Sequence, residues 1–157
     1  MKLLYPFIIF ICTVIPLTGL QSQTPSIKLA DGYYVTANEG IKVYDKNQGK
    51  DIYLDKTSLI PIKHVKSTEV KKISNLTKLR YELSSSLDAL GTSALAKFSP
   101  NFEKSTNIAL VINGRTLFVA NLFNKITSGN ISFSSGVLTK ADLESMKLEI
   151  DKAARMF

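Results

Sequence analysis

The 157-residue chain contains one cysteine, Cys12, and one histidine, His64. Cys12 falls inside an N-terminal apolar run that reads as a cleaved leader, so the mature chain is expected to carry no thiol. A disulfide framework, a cysteine nucleophile and a thiolate zinc site are then excluded, and stability must come from packing. No G-x-S-x-G elbow occurs, and "NQGKD" has a Gly-Lys pair without the earlier glycine of a phosphate loop. "DKNQGKD" lacks the closing Glu of a calcium loop, which leaves Asp31, Asp45, Asp51 and Asp55 as turn acids. No metal and no cofactor is expected. Negative charge is the scarcer sign, with 13 acidic residues against 20 Lys and Arg for a net charge of +7.

The leader has the parts of a secretory signal. Met1-Lys2 is a short positive start, Leu3 to Leu20 is apolar but interrupted by Pro6 and Pro16, and Ser22 offers a small residue at the exit. The run approaches the roughly 20 residues of a spanning helix, but its two prolines and small-residue exit favour a signal peptide over residues 1–22. Cleavage after Ser22 removes Lys2 alone and lowers the net charge from +7 to +6. No transmembrane segment is expected after it. Residues 23–157, from a chain with 45% hydrophobic and 21% charged residues, have the balance of one globular domain, expected in the periplasm or outside the cell.

Positive charge gathers in the middle. Lys63, Lys66, Lys71, Lys72, Lys78 and Arg80, with Lys56, have only Glu69 among them. Such a patch attracts nucleic acid, anionic lipid heads or an acidic protein face at long range. Lysines alternating along an edge strand also block edge-to-edge pairing, which is the simpler reading, and export leaves nucleic acid an unexpected partner.

Most of the chain has period two. Tyr33 to Ala37, Ile41 to Tyr44 and Ile52 to Leu54 are short β-branched and aromatic runs parted by turn residues, a β-meander over about residues 30–56. Extended segments are expected from Ile62 to about Lys72 and from Leu79 to Leu83, with "ISNLT" as the turn between them. "NIALVINGRTLFVA" puts Ile108, Leu110 and Ile112 on one face and reverses at Asn113-Gly114, the dipeptide suited to a type I′ hairpin turn. In "ITSGNISFSSG" no helix opens directly after the glycines. An anion cradle is therefore the poorer reading than a Ser128-Gly129 turn followed by a strand through Ile131 and Phe133.

Two helices are legible. In "SSSLDALGTSALAKFSP" Ser85 or Ser86 is the expected cap, Leu87, Leu90, Ala94 and Phe98 form the apolar stripe, and Pro100 stops the run. Gly91 in its interior costs about 1 kcal/mol relative to Ala, which calls for a packing reason such as close approach of the helix backbone to a sheet. The second helix begins with Thr139 and Asp142 as a capping-box variant and carries Leu143, Met146, Ile150 and Ala153 on one face. The fold class is α+β: a mainly antiparallel sheet of short strands with two principal helices packed on it.

The order of these motifs resembles the head subdomain of the first periplasmic domain of the protein-export membrane protein SecD, over about residues 57–155. Leu87, Asp88, Gly91, Leu95 and Ser99 fall on that family's L-D-x-x-G motif. Ile108 to Arg115 fall on its L-A-I-V-L-D-G-K stretch without a gap. Ile126, Thr127, Ser128 and Gly129 match its I-T-G-G, and Thr139 with Asp142 resembles the start of its closing helix. Phe118 to Ala120 depart from the family's S-A-P, Lys125 stands where a proline is common, and the spacing from Ile131 to Thr139 differs.

The resemblance implies these residues are structural and that the family's engagement of emerging polypeptide is the half that carries over, since a proton-driven cycle needs transmembrane helices. The expected function is a non-enzymatic envelope module that binds exported polypeptide or an envelope protein, by strand addition to a sheet edge near the Asn113-Gly114 hairpin. A structural or protein-interaction domain reusing the fold without an export role is the alternative. A ligand-binding protein or hydrolase is a further one, and would require a serine and a carboxylate gathered around His64.

Overall fold

A computed structural model describes residues 29–75, 78–99 and 106–157. The leader with Cys12, residues 76–77 of the expected turn, and Pro100 lie outside them.

The described chain runs β1 (Gly32–Ala37), β2 (Ile41–Asp45), β3 (Lys50–Leu54), β4 (Ile60–Pro61), a 3-10 turn (Ile62–His64), β5 (Val65–Asn75), β6 (Lys78–Leu87), α1 (Ala89–Phe98), β7 (Thr106–Ile112), β8 (Arg115–Leu122), β9 (Asn130–Ser134) and α2 (Lys140–Ala154). Two antiparallel sheets result. One has the order β2-β3-β1-β7-β8, with β4 added to β1, and the other is β5-β6-β9. The meander expected over residues 30–56 is therefore a β2–β3 hairpin whose second strand pairs with β1, so that β1 never meets β2 along a ladder.

The Asn113-Gly114 reversal forms as its chemistry requires, with φ of 51° at Asn113 and 71° at Gly114. Its first strand, β7, is a continuous buried run because both of its faces are covered. Ile108, Leu110 and Ile112 enter the main core with Tyr33, Leu83, Leu95, Phe118, Ile131, Leu143 and Ile150. Ala109 and Val111 enter a second cluster with Leu29, Tyr34 and Leu54, over which the β2–β3 hairpin folds Ile41, Val43 and Ile52. The first sheet thus curls until β2 lies against β8.

The two sheets meet through aromatic rings. Phe118 on β8 stacks on Phe133 of β9 at 4.3 Å between centroids, and Tyr33 meets Phe118 edge-on at 6.3 Å. The Tyr33 hydroxyl is fully buried and closes no hydrogen bond among the described residues, although the buried Ser85 lies near it. Burial pushes this phenol up to about 12.

α2 starts where the sequence places it. Thr139 and Asp142 form a reciprocal capping box, and Leu143, Ile150 and Ala153 are buried with Met146 packed beside them. Complete burial of each of Leu143 and Ile150 contributes about 1.5–3 kcal/mol.

α1 departs from its expected start. Ser84, Ser85 and Ser86 are held in β6 by pairing with both β5 and β9, so the strand continues to Leu87 and Asp88 becomes the cap. Of the expected stripe, Leu87 is buried and Ala94 and Phe98 pack against the core, but Leu90 is 68% exposed, and the buried helix positions are Gly91 and Leu95. The segment from Ile62 opens with a 3-10 turn, and β5 runs on to Asn75. Ile126 to Gly129 is irregular chain, since β8 ends at Leu122.

Candidate functional site

Four of the motif residues, Leu87, Asp88, Gly91 and Gly129, meet at the start of α1. Asp88 accepts the Gly91 N–H at 2.8 Å through one carboxylate oxygen and contacts His64 Nδ1 at 2.8 Å through the other. The Asp88 N–H donates to the His64 carbonyl at 2.9 Å. The Gly91 bond, followed by the His64 contact, holds the Asp88 carboxyl below its ordinary range.

Gly91 is explained by crowding: a Cβ there would lie 3.1 Å from the His64 Cβ, 3.2 Å from that of Leu87 and 3.3 Å from Ile60 Cγ2. The close approach expected to a sheet is thus made to side chains, those of Leu87 on β6 and Ile60 on β4, and also to His64 on the 3-10 turn. Gly129 sits on the same helix, with φ of 72°, and a Cβ added to it would be 2.4 Å from Thr92 Oγ1. Its carbonyl accepts the Leu87 N–H at 2.8 Å. Leu87, Asp88, Gly91 and Gly129 therefore form one junction, joining β6, α1 and the start of β9.

The other motif residues lie elsewhere. Asn113 and Gly114 make the β7–β8 turn, where the Asn113 N–H donates to Asp31 Oδ1 at 2.7 Å. The Ile126 N–H donates to Ser99 Oγ at 2.9 Å, Thr127 is exposed, and Thr139 caps α2. His64 has a carboxylate partner, and among the described residues no serine hydroxyl bonds to it. No three His, Cys, Asp or Glu side chains gather as a metal set among the described residues. A shallow hollow of about 400 Å³ at the mouth of the curled sheet includes Thr36, Gln48, Asp51, Tyr53 and Asn107, and its Asp51 carboxylate is already paired with Lys42 at 2.8 Å.

The sheet edges differ in what they leave open. Beside the Asn113-Gly114 hairpin, where strand addition is expected from the sequence, the edge is occupied: Asn47 Nδ2 from the β2–β3 turn donates to the Leu117 carbonyl at 2.8 Å, and Arg115 pairs with Glu149 of α2 at 2.8 Å. The β5 edge carries a bulge between Val65 and Ser67. Its first residues, Val65 to Thr68, share a small hollow with Asp151, Ala154 and Arg155 at the end of α2.

β9 has no such cover among the described residues. The Leu87 N–H to Gly129 carbonyl bond extends the β6–β9 register by one pair, so the bonded pairs are Leu87 with Gly129, Ser85 with Ile131 and Leu83 with Phe133. The backbone groups of Asn130, Ser132 and Ser134 then point away from β6. The Asn130 N–H turns back to Ser128 Oγ at 3.4 Å. Among the described residues, nothing bonds the N–H or carbonyl of Ser132 or Ser134, and both side chains are exposed. The sequence signal for this edge is the uncharged alternation "NISFS", readable as a strand but not as an open one.

The basic residues spread along the opposite side of the same sheet. Lys63 is exposed on the 3-10 turn, Lys66, Lys71 and Lys72 on β5, and Arg80 on β6, while Lys78 opens β6. Lys71 pairs with Glu69, which raises its pKa, and cross-strand register puts Lys71 and Arg80 on one face with Glu69 and Glu82. That face is otherwise small and polar. Ser67 bonds Ser86 at 2.7 Å, and Ser132 donates to Ser84 at 3.3 Å.

No protein-family model matches the chain, and no curated protein matches it. Solved structures do. The chain is similar to a structure of SecDF, described as a membrane component that enhances protein export, with a TM-score of 0.53 at 10% identity over 78% of this chain and 62% of that one. It is also similar to SecDF in a super-membrane-facing form, with a TM-score of 0.50 at 13% identity over 79% of this chain and 18% of that one. The chain thus has a SecDF-type fold, in agreement with the order of its sequence motifs, and spans less than two thirds of either structure's length. No helix among the described residues is long and apolar enough to cross a membrane.

Proposed function

We propose that this chain is an exported, non-enzymatic envelope module that binds extended polypeptide in connection with protein export. The observation that carries the reading is a sheet edge, β9, that no other described residue occupies, in a SecDF-type fold. Such an edge offers main-chain donors and acceptors in a row, and another main chain satisfies them regardless of its side chains, which suits a binder of many exported sequences. The His64–Asp88 contact belongs to helix capping in this reading: Asp88 spends its second oxygen on the Gly91 N–H, and the pair locks the 3-10 turn to α1.

The test is fluorescence anisotropy of the purified protein with a permanently unfolded polypeptide, reduced and carboxymethylated α-lactalbumin, against the native disulfide-bonded form of the same protein. Binding to the unfolded form alone is expected. Equal binding to both forms, or to neither at the highest soluble concentration, overturns the proposal.

A further inference from the structure

We infer that β9 is the docking strand and that its occupant is an extended polypeptide segment with small polar and apolar residues in alternation, hydrogen-bonded to Ser132 and Ser134. The inference rests on the proposed polypeptide-binding function and assigns its site.

Three observations select this edge and this occupant. The outward groups of Ser132 and Ser134 are two donors and two acceptors in strand spacing, which only another extended backbone matches in full. The strand has no charged residue and no proline, whereas the far edge of the same sheet carries Lys66, Glu69, Lys71 and Lys72. The side chains beside an added strand also differ by face. Residues directly opposite Ser132 and Ser134 would lie over the open face with Asn130, Ser84 and Ser86, where small polar groups fit. The alternate residues would lie beside Ile131 and Phe133, and Phe133 is only half-buried, so part of its ring is available to an apolar side chain.

The ladder parity makes the prediction specific. Residues opposite Ser132 and Ser134 form hydrogen-bonded pairs with them, so the partner's small polar residues supply the bonding amides and its apolar residues do not. A fluorescein-labelled peptide of about ten residues, alternating threonine and valine with a lysine at each end, is the probe. N-methylation of its threonine amides is expected to weaken binding at least about tenfold, and N-methylation of its valine amides to leave it within about twofold.

On the protein, Ser132→Pro removes an outward N–H without touching the bonded pairs at Ile131 and Phe133, and is expected to weaken binding at least about tenfold. Ser132→Ala and Lys72→Pro, the latter at an outward position of the β5 edge, are expected to leave it unchanged. In the wild type, peptide should slow amide exchange at Ser132 and Ser134. This protection and the two methylated peptides decide the matter even if Ser132→Pro fails to fold.

Equal losses from both methylations, or unchanged binding by a folded Ser132→Pro, overturn the assignment. If that variant still binds carboxymethylated α-lactalbumin, polypeptide binding survives and only the β9 site falls. Loss of self-association in Ser132→Pro by sedimentation, with no peptide binding by the wild type, would make the occupant a second copy and overturn the inference as stated.

Discussion

β5 and β9 are the two edges of one three-stranded sheet, both paired to β6, and they are built to opposite rules. β5 is eleven residues long and β9 is five. A long, flat edge templates aggregation, and β5 has three of the known protections: a bulge, exposed lysines and a helix end against its first residues. Among the described residues β9 has none of these and relies on being short. It is also held from behind, by Gly129 against α1 at its start and by the Phe133–Phe118 stack toward its end. An edge that is anchored at its back and bare at its front can accept a strand without being carried away by it.

The largest effect should come from removing the rear anchor. Phe118→Ala deletes the ring between Tyr33 and Phe133 and is expected to cost about 3–5 kcal/mol in chemical denaturation, the range for a buried phenylalanine truncated to alanine. The loss should be uneven. Amide exchange should accelerate more at Ile131 and Phe133 than at Glu69 and Lys71, because α2 still backs β5. Equal acceleration on both strands would break the comparison.

Next is the anchor at the start of β9. Gly129→Ala forces a Cβ to 2.4 Å from Thr92 Oγ1 at a φ of 72°, a conformation that L side chains rarely adopt. A cost of about 1–3 kcal/mol is expected from the backbone alone. Adding Thr92→Ala should recover part of the loss by removing the nearest atom and leave the φ strain behind. Full recovery in the double variant would mean that crowding against α1, and not backbone conformation, fixes this glycine.

The elements whose chemistry is local were legible in the sequence. Asn113-Gly114 carries its own turn, Thr139 and Asp142 carry their own cap, and both form as written. Ser85 and Ser86 show where local reading stops. Each is a good cap by composition, but two neighbouring strands bid for the same backbone, and sheet pairing on both sides outweighs one capping bond. Gly91 announced a close approach to a sheet without naming the residues, because His64 and Ile60 reach it only through tertiary packing. The open edge was the least legible feature. Whether a strand is bare depends on what lies beside it, and "NISFS" would read the same in the middle of a sheet.

A smaller, pH-dependent effect concerns the junction that positions Gly129. Asp88 has a folded pKa below its ordinary 3.8, so its contribution is fully present above that value and is lost as pH falls through the lower folded value. Asp142 behaves alike at the cap of α2, lowered mainly by the Thr139 hydroxyl. Asp88→Asn keeps an acceptor for the Gly91 N–H but removes the charge, and should flatten the acid limb of the stability profile while leaving the portion due to Asp142. Thermal midpoints measured from pH 6 to pH 2 test this, and an unchanged slope would show that the Asp88 charge adds nothing to its capping geometry.

The smallest effect on stability should carry the clearest message about the edges. Lys71 and Lys72 are exposed, and Lys71 pairs with Glu69 at the surface, where an ion pair contributes little. Lys71→Thr with Lys72→Thr should therefore barely move the thermal midpoint. It should also give the second half of the long β5 edge, residues 70–75, the uncharged, β-favouring character of β9, with Lys66 and Glu69 left as the charges of its first half. Concentration-dependent self-association in sedimentation velocity is the expected result, absent from the wild type under the same conditions. If the double variant stays monomeric, the bulge and the end of α2 suffice to close β5, and the difference between the two edges lies in what packs against them and not in charge.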